Sequence, residues 1–236
     1  MSLSFAKPTT RTIIRTLIPI GTALLAFVVT GFLLLAGGFD PLEAYGLILQ
    51  GSVGGVREGG ETLVRTTSLL LTGLAVGFAF RCRVWNIGAE GQLYFGAIGA
   101  VVIALTVVGQ IPVFGVIIAI IFAMIFGAGW AAIAGVLKSR LGVNEIIVTV
   151  MLNFIAILFV DFLVHGALKA PGFEPQTALI PLTSQLPILI EGTRFHAGFL
   201  VAIAAAVLIY LILFKTKTGF SLRATGVNPK ASGYAG

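Results

Sequence analysis

From Leu17 through Phe39 the chain carries no charged residue. A helix crosses the hydrocarbon core of a bilayer with about 20 mostly apolar residues, so this run alone is long enough to span. Stretches of the same kind recur at about 62–80, 92–109, 112–136, 146–164 and 197–214, and 112–136 is again free of charge. With the first at about 16–37, six spanning helices are expected, and the fold class is an all-α, polytopic membrane helix bundle. Composition agrees. Of the 236 residues, 58% are hydrophobic and 10% charged, against about 25% charged in a soluble domain. Too little charge is available to cover a water-facing surface. Lys7, Arg11 and Arg15 precede the first run, as in a signal peptide. The run exceeds an ordinary signal h-region and no small-x-small cleavage site follows, so an uncleaved span is expected.

Charge sets the orientation. With the N-terminus inside, the cytoplasmic segments hold Lys7, Arg11, Arg15, Arg81, Arg83, Lys138, Arg140, Lys215, Lys217, Arg223 and Lys230, which is eleven of the 15 basic residues. The opposite side holds Arg57, Lys169 and Arg194, and Arg65 falls at the start of the second span. The positive-inside bias therefore places both ends in the cytoplasm. The chain, 1–236, is read as one transmembrane domain with extracytoplasmic segments 39–61 and 165–196 and a cytoplasmic segment 215–236. The net charge of +6 is a topology signal. No basic stripe with interleaved aromatics accompanies it, so nucleic acid is not expected as a partner.

Asp40-Pro41-Leu42-Glu43 is a helix start, with Asp as cap, Pro in the first turn and an acid close behind. It predicts an interfacial helix within 39–61. The segment 165–196 carries Pro171, Pro175, Pro181 and Pro187 and is expected to be a structured loop, with a short re-entrant piece at Leu186–Ile190 as one option. His165 and His196 sit at its two ends. Their spacing supports no metal site, and Cys82 is the one cysteine, which rules out an intrachain disulfide. No cofactor is expected.

Within the spans, Gly73-x-x-x-Gly77 and Gly127-x-x-x-Ala131-x-x-x-Gly135 read as packing seams, because helices in lipid associate through small residues. Polar residues are more informative, since they are costly in lipid and face a partner or a cavity. Arg65, Ser68 and Thr72 share one helix face. Glu145, Thr149 and Asn153 follow one another at spacing four. Asn153 reads either as interhelical glue or as a pathway-lining group, and Asp161 as a snorkelling or capping group near the outer surface. Trp85-Asn-Ile-Gly-Ala-Glu-Gly-Gln92 joins two apolar helices yet holds two glycines, two amides and a carboxylate. Asn86 is a candidate cap for the next helix, with Glu90 near its positive end. The segment is either a tight cytoplasmic turn or a broken helix beside a translocation pathway. The pathway candidates are Asn86, Glu90, Gln92, Glu145, Thr149 and Asn153.

Asn86-Ile-Gly-Ala-Glu-Gly-Gln92, Gly142-Val-Asn-Glu-Ile-Ile-Val-Thr-Val-Met-Leu-Asn153 and Gly219-Phe-Ser-Leu-Arg-Ala-Thr-Gly-Val-Asn-Pro-Lys-Ala-Ser-Gly-Tyr-Ala-Gly236 resemble, in order and spacing, the signatures of permease subunits of bacterial ABC importers for nucleosides and simple sugars, in the branched-chain amino acid/ribose-type superfamily. The resemblance implies a multi-pass protein of the bacterial plasma (inner) membrane. Its implied partners are cytoplasmic ABC ATPases, a second permease subunit in a hetero- or homodimer, and an extracytoplasmic substrate-binding protein. It also implies further spans after the third motif, so the chain looks like the N-terminal part of a permease. In the third motif it points to Gly219, Arg223, Gly226, Asn228, Pro229, Ala231 and Ala235 as the contact with the ATPase.

Two residue-level readings stand beside the resemblance. The chain has no G-x-x-x-x-G-K-[ST] phosphate loop, so energy from ATP would have to come from a partner and the chain itself is not expected to be an enzyme. Asn228-Pro229 predicts a short helix over about 229–234, of a kind that docks in a groove. The alternatives are a gradient-driven secondary transporter of small polar solutes and a membrane-embedded enzyme. The first lacks paired broken helices and a repeat, and the second lacks titratable groups clustered at one depth.

Overall fold

The computed structural model describes residues 10–234. They form two compact units, divided between Gly59 and Gly60.

The first unit is built on α1 (Thr10–Ala36) and α2 (Pro41–Val53). Within α1, Leu17–Ala36 is long and apolar enough to cross a membrane, and none of it is buried against protein. Gly38, at φ +81°, turns the chain after α1. Asp40 then caps α2 as its sequence predicts, its carboxylate accepting from the N–H of Leu42 at 2.8 Å and of Glu43 at 3.5 Å. The Tyr45 hydroxyl donates to the Phe27 carbonyl at 2.6 Å, and the two rings meet edge to face. These contacts fold α2 back on α1.

The helix α3 (Val56–Arg81) runs into the second unit, which continues with α4 (Ala89–Ala104), α5 (Phe114–Leu141), α6 (Glu145–His165), α7 (Gly198–Lys215), α8 (Lys217–Val227) and α9 (Pro229–Tyr234). The stretches within α1, α3, α5, α6 and α7 are long and apolar enough to span. The third expected span, 92–109, is a shorter helix. α4 has 16 residues, about 24 Å at 1.5 Å per residue, which falls short of a hydrocarbon core of about 30 Å. It ends where Thr106 bonds back to the Ile103 carbonyl and Val107–Gln110 tightens into a 3-10 turn.

The best-packed seam joins α4 to α5, and glycine makes it. A β-carbon on Gly96 would lie 3.2 Å from the Ala123 carbonyl oxygen, and one on Gly99 2.8 Å from that of Phe122. Gly127 closes the seam against the Gln92 carbonyl. Phe95 stacks on Trp130 of α5 at 3.6 Å and on Phe159 of α6 at 5.6 Å. Of the expected small-residue seams, Gly127 therefore packs. Gly73, Gly77 and Gly135 have nothing within 4 Å of a β-carbon position and lie on open faces. Buried apolar residues are few and mostly small, such as Ala104, Ala156 and Ala202, while most large apolar side chains are exposed. That is the pattern of a bundle whose outer solvent is lipid.

Between α6 and α7 the chain is a structured loop. Thr183 and Ser184 both donate to the Gly109 carbonyl, and Arg194 forms a two-pronged ion pair with Glu61 at 2.7 and 2.5 Å. Leu186–Ile190 is not helical. Ile188 pairs with His196 as an antiparallel bridge, because Pro187 removes an amide donor and the Leu189 N–H is taken by the Phe195 carbonyl at 2.8 Å. At the C-terminal end of α6, Asp161 and His165 pair at 3.3 Å on an exposed surface, as suits a group at a helix end.

Candidate functional site

The helices α5 and α6 meet in a turn whose parts are legible in Gly142-Val-Asn-Glu145. Gly142 sits at φ +65° and its N–H returns to the Leu137 and Lys138 carbonyls. Asn144 then caps α6 by accepting from the Ile146 N–H at 2.9 Å. This aims the first two turns of α6 at the segment between α3 and α4.

There the α6 stripe and the 85–92 motif come together. The Glu145 carboxylate accepts the N–H of Trp85 at 3.4 Å and is paired with Lys138. The Thr149 hydroxyl accepts the N–H of Ile87 at 3.3 Å. Asn153 accepts the N–H of Gly91 at 2.8 Å and donates to the Ile87 carbonyl at 2.9 Å. Each side chain is one helical turn beyond the last. The segment from Trp85 to Gly91 therefore climbs about 12 Å along α6, at 1.5 Å per residue. Backbone outside a helix needs partners for its polar groups. The α6 stripe supplies them for the N–H groups of Trp85, Ile87 and Gly91 and for the Ile87 carbonyl, while the Asn86 N–H bonds the Val84 carbonyl.

Inside the segment, Asn86 accepts from the Gly88 N–H at 2.9 Å, and its amide pairs with that of Gln92 at 3.1 and 3.3 Å. Asn86 is thus not the cap of α4. Gly88 holds that position without a side-chain bond, and Asn86 orders the turn before it. Gly91 faces Asn153 and the Trp130 indole nitrogen, with a β-carbon position 2.9 and 3.1 Å from them. That indole N–H is buried and has no hydrogen-bond partner among the described residues. Of the six pathway candidates, Asn86, Gln92, Glu145, Thr149 and Asn153 are consequently engaged in holding the segment. Glu90 is exposed in the first turn of α4. It lines an open groove of about 620 Å³ with Ser68, Thr72, Gly73 and Gly77 of α3 and Leu93 of α4.

The ATPase-contact candidates lie on α8 and α9. Thr216 caps α8 by accepting from the Gly219 N–H at 3.0 Å. A β-carbon on Gly219 would collide with the Ile212 carbonyl, and one on Gly226 with the Arg81 carbonyl at the end of α3. Arg223 stands 5.0 Å from the centre of the Phe214 ring, and Arg81 stands 5.7 Å from it. Two guanidinium groups thus grip one aromatic ring and join the end of α7 to both α3 and α8. Asn228 is extended, and Pro229–Tyr234 is helical as expected, with Ser232 bonding Thr225 across the bend at 3.0 Å. The backbone of Ala231 lies within that helix; Ala235 falls outside the described residues.

Sequence reasoning found the α6 stripe but not its partner, since nothing local ties Asn153 to a backbone sixty residues earlier. It did not assign Lys138, Trp85 or Phe214, which carry ordinary topology and packing signals. Their spacing sets Ser68 and Thr72 on one face, but their position opposite Glu90 follows only from the fold. Among the described residues, no group of three or more His, Cys, Asp or Glu side chains could hold a metal ion.

A family profile described as "Branched-chain amino acid transport system / permease component" matches residues 60–236. Among curated proteins, the chain is 36% identical to a guanosine ABC transporter permease protein of Bacillus subtilis, over 93% of this chain and 64% of that one. It is 32% identical to a nucleoside ABC transporter permease protein of Lactococcus lactis, over 94% and 64%. It is 34% identical to a glucose ABC transporter permease protein of Haloferax volcanii, over 92% and 60%. The chain therefore spans a little under two thirds of the length of these relatives. No solved structure matches it.

Proposed function

Since the chain belongs to the family of branched-chain amino acid transport system permease components, we propose that it forms the transmembrane pathway of an ATP-driven importer for nucleosides or simple sugars. Its relatives carry the names of guanosine, nucleoside and glucose permeases, which supports this substrate class. On this reading it sits in the plasma membrane (the inner membrane of a bacterium) with its N-terminus in the cytoplasm. It works with cytoplasmic ABC ATPases, a second permease subunit and an extracytoplasmic binding protein, and performs no chemistry itself.

The observation that carries the proposal is the non-helical segment before α4, whose N–H groups are taken one by one by Glu145, Thr149 and Asn153. On this reading a break held in this way sets the positive end of α4, with Glu90, beside the pathway. Such discontinuous helices surround substrate sites in transporters. Asn86, Gln92, Glu145, Thr149 and Asn153 position the segment, and Glu90 faces the pathway. The α8–α9 region is the contact for the ATPase. Motion of α8 reaches α3 through Gly226 and Arg81, and α3 leads directly into the segment.

The proposal is tested by isolating the chain from its native membrane with its neighbours attached. Co-purification of a nucleotide-binding ATPase and an extracytoplasmic binding protein is the expected result. A chain that purifies alone after mild extraction and crosslinking, and takes up solute with an ion gradient, contradicts it.

A further inference from the structure

The groove between α3 and α4 has an uneven lining. Glu90 projects from the first turn of α4 and has no hydrogen-bond or ion-pair partner among the described residues. Opposite it on α3 are two hydroxyl side chains. Thr72 donates to the Ser68 carbonyl at 2.9 Å, which leaves its oxygen free to accept, and the Ser68 hydroxyl makes no bond of its own among the described residues. Gly73 and Gly77 lie beside them with nothing within 4 Å of a β-carbon position, so the wall is recessed. The remaining lining is Leu69, Val76, Ala89 and Leu93. It contains no aromatic ring and no cation. An unpaired ionisable group set beside apolar spans is a candidate functional group, and the volume of about 620 Å³ falls in the range of small-molecule sites.

We infer that Glu90, with Ser68 and Thr72, is a subsite for the vicinal diol of a sugar ring. The inference rests on the pathway reading above and says which part of the substrate the chain touches. A carboxylate accepts two O–H groups at once, the Thr72 oxygen accepts a third, and Ser68 donates to a ring or hydroxyl oxygen. With no aromatic platform, the groove offers nothing on which a nucleobase could stack. A cationic solute would also seek a carboxylate, but Arg65 lies one turn from Ser68 on the same face of α3 and opposes it. A diol is the feature that nucleosides and glucose share, so one lining can serve relatives named for either.

The test uses the assembled transporter with Cys82→Ser and a reporter, Leu93→Cys, on the groove wall. The rate of modification by a small methanethiosulfonate reagent is measured with guanosine, 2′,3′-dideoxyguanosine, guanine or ribose present, without the binding protein. Guanosine and ribose are expected to slow modification at least several-fold, and guanine and the dideoxy compound to leave it unchanged. Glu90→Gln, which keeps the shape and removes the charge, should abolish the protection. Protection by guanine or the dideoxy compound, protection that survives Glu90→Gln, or the absence of any protection overturns the subsite. A reporter that stays unmodified in every state shows the groove filled by protein and overturns it equally. ATP-driven guanosine uptake, measured in parallel, separates the two failures. Uptake without diol protection sinks the subsite alone, and no ATP-driven uptake of any nucleoside or sugar sinks the importer reading.

Discussion

Asn153 and Gly91 are locked to each other. The Asn153 carboxamide oxygen accepts the Gly91 N–H at 2.8 Å, and a β-carbon on Gly91 would come within 2.9 Å of that same oxygen. One residue supplies the bond and the other the room for it. The position where α4 starts depends on both.

Asn153→Leu removes the acceptor for Gly91 and the donor for Ile87, leaving two backbone groups unsatisfied. It should cost about 2 kcal/mol, seen as a lower Tm of the purified complex. Asn153→Asp keeps the acceptor and should cost less. Gly91→Ala should destabilise more than Gly73→Ala, whose β-carbon meets open space. Equal Tm values across these variants would remove the locking role.

Phe214 should behave as a coupling residue. Replacing it with Leu removes the ring between Arg81 and Arg223 and should cut substrate-stimulated ATP hydrolysis several-fold while basal hydrolysis stays. Phe214→Tyr, which keeps the ring, should restore stimulation. Gly226→Ala, whose added carbon strikes the Arg81 carbonyl, should uncouple in the same way. Normal stimulation in Phe214→Leu and Gly226→Ala would place transmission elsewhere.

The charge asymmetry predicts a topology that labelling can read. In a Cys82→Ser background, Thr177→Cys should react with an impermeant reagent from outside and Ser232→Cys should not. The reverse pattern would invert the orientation.

Burial pushes the Cys82 thiol up from its ordinary pKa. The thiolate is the reactive form, so native Cys82 should alkylate more slowly than a free thiol at neutral pH and gain rate as pH rises through the raised pKa. A rate matching a free thiol would show the site open.

Much of the fold was legible because its signals are local. Asp40-Pro41 starts α2 through bonds within three residues, and Asn228-Pro229 announces α9. Long charge-free runs announce the spans of α1 and α5, whereas the run at 92–109 yields only the shorter α4. Glycine seams are less legible. Gly73-x-x-x-Gly77 looks like a seam in sequence, yet Gly96 and Gly99 form the one between α4 and α5, since only the facing helix decides which small residue is pressed. The spacing of Glu145, Thr149 and Asn153 was visible, but their partner is a distant backbone that carries no side-chain signal. α8 was hidden because its mixture of glycine, hydroxyl and basic residues has no apolar period, and its packing on α3 and α7 supplies what the pattern lacks.

Uptake of labelled guanosine into vesicles containing the assembled transporter, with its binding protein outside and the ATPases facing the lumen, tests the account most directly. With ATP enclosed and all ion gradients collapsed by ionophores, guanosine should accumulate well above its external concentration, and Glu90→Gln should reduce that accumulation about tenfold or more, equivalent to roughly 1.4 kcal/mol. Accumulation that requires an ion gradient and ignores ATP would contradict the account.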